Sequence, residues 1–276
     1  MASMKKINLA ITGSKGFLGN YLANYFIKFS EFNIVKLSSS IDKKESNYYS
    51  IGSQINEIIL KEINILILCA HDFKQKDLSF QKKGAEVIYS QFKKMDLQIK
   101  IIYISSLAAF KDAYSTYGKS KYLMEKIIEK NNGIIIKPGI IYGNKNVKGL
   151  ISKIMSFTEK HKIVPYFVNL DSKIYLSHIE DLCNCLYKII NNENKGIFLC
   201  VNLNAYSFKE LIHKFNKEKK IILFPIIWQL VFFISKLLEV FKLDIGFKSD
   251  SILSLARQNK KLQDGMSIKY TSLFRD

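Results

Sequence analysis

Arginine is nearly missing: only Arg257 and Arg275 stand among 42 basic residues in a chain of 276. Readout of DNA base edges leans on bidentate arginine, and no lysine cluster interleaves with aromatics on one element. The formal charge of +18 therefore does not read as a nucleic-acid surface. Lysine, isoleucine and asparagine are abundant together, as coding bias towards A and T produces, and the charge is compatible with anionic substrates or an acidic membrane surface. Cysteine is scarce too. Cys69, Cys183, Cys185 and Cys200 lie inside apolar segments without metal-ligand spacing, and read as reduced core residues of a cytosolic protein. Four histidines are scattered, so no metal is expected. No Gly-x-Ser-x-Gly elbow is present, which argues against a serine hydrolase of that kind. No apolar h-region precedes the first apolar strand, so a cytoplasmic location is expected. Repeats and low-complexity linkers are absent as well.

What is present begins ten residues in. The apolar run around residues 5–11 has the length of a buried strand. Gly13, Gly16 and Gly19 follow at three-residue spacing, and helical periodicity takes over afterwards. Glycines here allow a tight turn, close backbone approach to a pyrophosphate and close helix–strand packing. The helix start adds free N–H groups and partial positive charge. The loop Gly13, Ser14, Lys15, Gly16, Phe17, Leu18 and Gly19 is thus a candidate phosphate cradle, although its spacing differs from Gly-x-Gly-x-x-Gly.

A second motif lies downstream. Residues 115–130 read as a helix, with Ser115 or Thr116 at its N-cap. Tyr117 and Lys121, four apart, share one face. An ammonium beside a phenol favours phenolate, so the sequence predicts a Tyr117 pKa lowered from about 10, a usable acid or base. Residues 100–106 read as a buried strand ending in two serines, of which Ser106 can reach the same substrate oxygen.

In this order, the motifs resemble the extended short-chain dehydrogenase/reductase family, which acts mostly on nucleotide sugars. The resemblance extends over nearly the whole chain. It implies a Rossmann-type α/β fold, a doubly wound parallel sheet with a smaller C-terminal substrate lobe. It also implies Ser106, Tyr117 and Lys121 as the catalytic trio. Tyr117 would be the general acid/base and Lys121 would also bind the nicotinamide ribose. Residues 67–71 resemble the strand end bordering the cofactor, which brings in Ala70. Residues 137–143 resemble the start of the substrate lobe, with Pro138 near the cofactor and Ile140 and Tyr142 near the substrate. Residues 175–181 resemble a later strand-to-helix element ending in an acid. Family members are often dimers through helical faces like 78–94 and 116–130.

Strands near 5–11, 33–37, 63–69, 99–105 and 133–137 alternate with helices near 18–29, 54–61, 78–94 and 116–130. Such alternation predicts a parallel sheet with helices on both faces. Residues 38–53 are too polar and irregular to place a strand. The pattern suggests a dinucleotide-binding domain at 1–143 and a substrate lobe at 144–276. Short strands such as 196–201 are assigned to that lobe, which is expected to close on the sheet's carboxyl edge. Residues 221–243 are strongly apolar but interrupted by Gln229, Lys236, Glu239 and Lys242. They read first as a core or lobe-covering helix with Pro225 in its first turn, and alternatively as a peripheral membrane patch.

For the cofactor, an acid commonly bonds the ribose 2′-hydroxyl after the second strand in NAD enzymes. Here that place is Ser38, followed by Ser39 and Ser40, and hydroxyls do not repel a 2′-phosphate. Lys15 stands where family members that use NADPH often carry a basic residue. NADP(H) is therefore preferred to NAD(H). Dehydratases of the family place Asp-Glu directly after the catalytic hydroxyl, whereas Ser106 is followed by Leu107 and Ala108. Eleven positions separate Ser106 from Tyr117, closer to the compact reductases of capsule and deoxysugar pathways than to many 4-epimerases. The resemblance thus implies a reductase of a keto-sugar nucleotide, in surface-polysaccharide or deoxysugar biosynthesis. An NAD-dependent 4-epimerase of nucleotide or lipid-linked sugars and a non-catalytic dinucleotide sensor are the alternatives. Three positions depart from the family: Ile140 replaces a frequent asparagine, Lys137 a frequent arginine and Phe110 a common tyrosine. These put the usual sugar contacts in question.

Overall fold

A computed structural model describes residues 6–73, 75, 77–143, 149–170, 173–192, 195–202, 204–216, 220–241 and 248–257. Residues 1–5, Lys242, Leu243 and Arg275 lie outside the described residues. In chain order the first half runs β1 (Ile7–Thr12), α1 (Phe17–Phe26), β2 (Phe32–Leu37), α2 (Glu57–Glu62), β3 (Ile65–Leu68), α3 (Leu78–Lys94), β4 (Lys100–Ile104), α4 (Thr116–Lys130) and β5 (Ile134–Pro138). Then come β6 (Ile140–Tyr142), α5 (Leu150–Lys160), β7 (Ile163–Val168), β8 (Ile174–His178), α6 (Ile179–Asn191) and β9 (Gly196–Cys200). The described chain ends with β10 (Ala205–Tyr206), α7 (Phe208–Phe215), β11 (Ile222–Ile227), α8 (Trp228–Val240) and α9 (Ser249–Ala256).

Two compact units share this chain. The first takes residues 1–105, 120–136 and 186–198; the second takes 106–119, 137–185 and 199–276. The central sheet has the order β2-β1-β3-β4-β5-β9, and the pairings of β1 with β2 and β3, β3 with β4, and β4 with β5 are parallel. The inner strands β3, β4 and β5 read as largely apolar runs because both faces are covered, whereas the edge strand β2 exposes Asn33 and Lys36. In β1, Leu9, Ala10 and Ile11 are all fully buried, and Ala10 joins the core formed with Leu66, Leu68, Ile101 and Tyr103. That core packs against Leu60 of α2, Ala85, Ile88 and Phe92 of α3, and Met124 and Ile128 of α4.

Residues 38–53 form no strand; Ser38 makes only an isolated bridge to Tyr48. Gln91 of α3 supplies what a neighbouring strand would. Its side chain accepts from Ile55 N at 3.1 Å and donates to Ile55 O at 2.6 Å, both buried.

The second unit holds the sheet β10-β8-β6 and the pair β11-β7. Its core joins Ile151 and Ile154 of α5, Val164 of β7, Ile174 and Leu176 of β8, and Phe208, Leu211 and Ile212 of α7. A full capping box starts α7, with Ser207 and Glu210 satisfying each other's backbone N–H.

Three expectations are corrected here. Residues 196–200 are not a lobe strand but the sixth strand of the central sheet, beside β5. Pro225 is not in a helix: it lies in β11, whose one described neighbour is β7, where Pro225 registers with Tyr166. Proline is tolerated on such a strand because a missing N–H at a sheet edge breaks no ladder. Third, Cys185 and Cys200 are not separate reduced thiols. They are joined as a disulfide with Cα atoms 6.7 Å apart, because α6 and β9 bring residues 15 positions apart side by side. Cys69 and Cys183 are free thiols.

Gln91→Leu should destabilise the fold by about 2–4 kcal/mol, because it strands a buried N–H and C=O at Ile55. Urea unfolding of the two proteins measures this, and an unchanged midpoint would refute the role.

Candidate active site

The glycine turn belongs to the first unit. Gly13 adopts φ +66°, a left-handed conformation that glycine takes without strain. A Cβ on Gly13 would stand 3.0 Å from the Ala70 Cα, and one on Gly19 would collide with the Gly13 carbonyl. Thr12 Oγ1 accepts from both Cys69 N and Ala70 N at 3.1 Å, tying the ends of β1 and β3 together. Gly16 N donates to Gly13 O at 2.8 Å, and Gly16 is the N-cap of α1. No side chain caps that helix and its first turn carries no acid. The N–H groups of Phe17, Leu18 and Gly19 precede the first i→i−4 bond, made by Asn20. Such a helix start fits a pyrophosphate.

Ser14 reaches across to β2, with its N and Oγ donating to Leu37 O at 3.1 and 3.0 Å. Ser38 is buried, and its Oγ accepts from Ser40 N at 3.1 Å. Lys15 Nζ donates to Ser40 O at 3.1 Å. Lys15 and the Ser38–Ser40 turn, two separate hints in the sequence, thus meet.

Tyr117 and Lys121 sit on α4. Ser115 caps it, its Oγ accepting from Gly118 N at 3.0 Å. The two preceding donors, Thr116 N and Tyr117 N, go to the Asp250 carboxylate at 2.6 and 3.1 Å. Asp250 lies in the first turn of α9. It completes the helix start 134 residues away in sequence, and adds negative charge at the positive dipole end. Sequence reasoning missed it, and nothing near Tyr117 signals it. Gly118 was missed as well: a Cβ there would run into the Ala108 carbonyl.

Ser106 and Tyr117 are hydrogen-bonded through their side chains, and Ser106 Oγ also accepts from Ala108 N at 3.2 Å. Ser105, its neighbour, is buried and donates to Glu125, so Ser106 is the hydroxyl available to Tyr117. The Ser106 turn is pinned by the end of β5, where Lys137 Nζ donates to Ala109 O at 2.6 Å and Leu107 N to Pro138 O at 3.1 Å. Lys137, standing for arginine, makes a structural bond to this turn.

Electrostatics correct one expectation. The Tyr117 pKa is raised, not lowered: burial of the phenol dominates, and the Ser106 hydrogen bond only partly offsets it. Lys121 is buried, donates to Ile104 O at 2.7 Å and lies 4.7 Å from the Tyr103 ring centroid. Burial pulls its pKa down to about 8, against the pull of Cys69 and Glu125. Burial, then Lys121, lowers the His71 pKa to about 3. Burial pushes the Cys69 thiol up to about 12, with Lys121 opposing. Tyr117 and His71 are thus neutral near pH 7. Ile140 and Tyr142 both pack on the lobe core. Tyr142 sets its ring edge-on to His178 and Phe215.

No protein-family model and no curated protein sequence matches the chain. Solved structures do. A dTDP-4-dehydrorhamnose reductase from Clostridium acetobutylicum superposes with a TM-score of 0.68 at 15% identity, over 91% of this chain and 98% of that one. The Bacillus anthracis dTDP-4-dehydrorhamnose reductase, solved with NADP, gives 0.67 at 18% identity over the same shares. A UDP-N-acetylglucosamine 4-epimerase from Bacillus cereus gives 0.63 at 18% identity, over 90% and 97%. This chain has their fold. The six-stranded central sheet with β9 at its edge is therefore the sheet of a Rossmann-type α/β protein.

The buried Lys121 also sets a pH response. Its folded pKa lies below the 10.5 of a free lysine, so the unfolded chain holds more protons above pH 8 and stability rises with pH there. Between pH 8 and about 9.5 this contributes up to about 2 kcal/mol. Unfolding of wild type and Lys121→Met across that range tests it. The rise should be missing in the variant, and equal slopes would contradict the assignment.

Proposed function

We propose that the chain is an extended short-chain dehydrogenase/reductase that reduces the carbonyl of a keto-sugar nucleotide with NADP(H). The observation that carries this reading is a half-buried, neutral Tyr117 hydrogen-bonded to Ser106, one helical turn from Lys121 on α4. A neutral phenol is a proton donor, which is what carbonyl reduction requires.

The residues present fit the cofactor: an uncapped helix start for the pyrophosphate, and Lys15 beside a serine turn for the 2′-phosphate. Held by the α1 start and Lys15, the reduced nicotinamide would supply the hydride that carbonyl reduction needs. Tyr117 gives its proton to the carbonyl oxygen, so C=O becomes CH–OH, and it regains a proton from solvent. Ser106 orients the phenol and offers a second hydrogen bond to the same oxygen. Lys121, four residues on in the same helix, would supply the positive charge that favours the phenolate formed once the proton has left. Ser115 and Asp250 fix the helix turn that carries Tyr117. We assign substrate contact to Ile140 and Tyr142 at the start of the substrate-binding part.

The cofactor preference rests on Lys15 and on the lack of a carboxylate at Ser38. The 4-dehydro-sugar reductase solved with NADP has the same fold, which agrees with the reading.

Tyr117→Phe should leave NADPH affinity within about twofold and lower turnover by at least about 100-fold. Retained turnover in a reductase assay would refute the role. Lys15→Ala should weaken NADPH binding by about tenfold or more, and NADH binding by less than about twofold. Equal losses in the two titrations would refute the 2′-phosphate assignment.

A further inference from the structure

Helix α8 is apolar on two faces, and among the described residues only one of them is covered. Trp228 is buried with Val231 and Phe232 against Ile252, Leu253 and Ala256. Trp228 Nε1 donates to Asn169 O at 3.0 Å. Glu239 accepts from Ser249 N at 2.7 Å and Ser249 Oγ at 2.9 Å. These contacts fix the rotation of the helix about its axis.

That rotation turns a second stripe outward. Leu230, Phe233, Ile234, Leu237 and Val240, with Phe241 following, recur at three- and four-residue steps and so line one face. Leu230 is 58% exposed, Phe233 66%, Leu237 59% and Val240 73%. Large apolar side chains exposed side by side in this way mark an interaction surface rather than scattered surface residues. The preceding strand adds exposed Ile222 and Phe224, and Ile222 registers with the exposed Ile163 of β7.

Charge selects the occupant. Residues 221–238 contain no acid, and the carboxylate of Glu239 is bonded to Ser249. Exposed lysines border the patch: Lys162 and Lys220 precede β7 and β11, and Lys236 lies on α8. A second copy of a chain with net charge +18 would bring like charges together, whereas anionic headgroups would neutralise them. At 13 residues the helix is about 20 Å long, and no helix among the described residues is long and apolar enough to cross a membrane. An apolar stripe beside lysines suits a helix lying in the interfacial plane. We propose that this face docks the protein on an anionic phospholipid surface, with α8 lying in the plane of the headgroups. The inference is independent of the hydride chemistry.

Co-sedimentation of the full chain tests it, with vesicles of phosphatidylcholine alone and of phosphatidylcholine mixed with phosphatidylglycerol. Wild type should partition to the mixed vesicles, less so at high salt and little to the neutral ones. Phe233→Asp with Leu237→Asp should cut that partitioning by about tenfold or more, with an unchanged circular-dichroism melt because both side chains face outward. Lys162→Glu with Lys220→Glu should weaken it while leaving the apolar stripe intact. No binding to the mixed vesicles, or binding that ignores the Asp pair, would overturn the proposal. So would a solution dimer, seen by light scattering, that the Asp pair splits into monomers.

Discussion

The glycine turn depends on one close approach. Gly13 lies against Ala70, and Gly19 lies against the Gly13 carbonyl, with no space for a Cβ at either contact. Thr12 ties the same place to the end of β3 through two amide hydrogen bonds. As a result the start of α1 is drawn to the end of β1, with its first-turn N–H groups uncapped by any side chain. A side chain on either glycine would push the helix away from the end of β1. Ser14 then carries the constraint to β2, and Lys15 reaches the serine turn beyond it.

Burial does the electrostatic work at the other motif. It raises the Tyr117 phenol and lowers the Lys121 ammonium, drawing both towards neutrality for the same reason: a charged form loses its water. The phenol is thereby kept as an acid. The ammonium keeps its charge below about pH 8. The helix that carries both is held at its start by a serine cap and by a carboxylate from α9. Such a start resists the shift that would move Tyr117 from Ser106.

Much of the central sheet was legible in the sequence, because strands covered on both faces appear as short unbroken apolar runs. The first five strands and four helices lie within a few residues of the predicted positions. Tyr117 and Lys121 were legible as a helical pair. What was not legible depends on contacts distant in sequence. An apolar run like β9 does not say which sheet it joins. Asp250 reaches the start of α4 across more than a hundred residues. Pro225 reads as a helix start until the pairing with β7 is known. The Tyr117 pKa was misjudged because a charge four residues away is visible in a sequence and burial is not. The Cys185–Cys200 pairing likewise needs α6 and β9 in space.

The most direct test of an NADP(H)-selective reductase is the cofactor behaviour of the purified wild-type protein. Nicotinamide content after denaturation is measured first, followed by titration of the cofactor-free protein with NADPH and NADH. A reductase of this kind purifies without stoichiometric nicotinamide and binds NADPH far more tightly than NADH. Stoichiometric NAD retained through purification, or equal affinity for the two reduced cofactors, would contradict it.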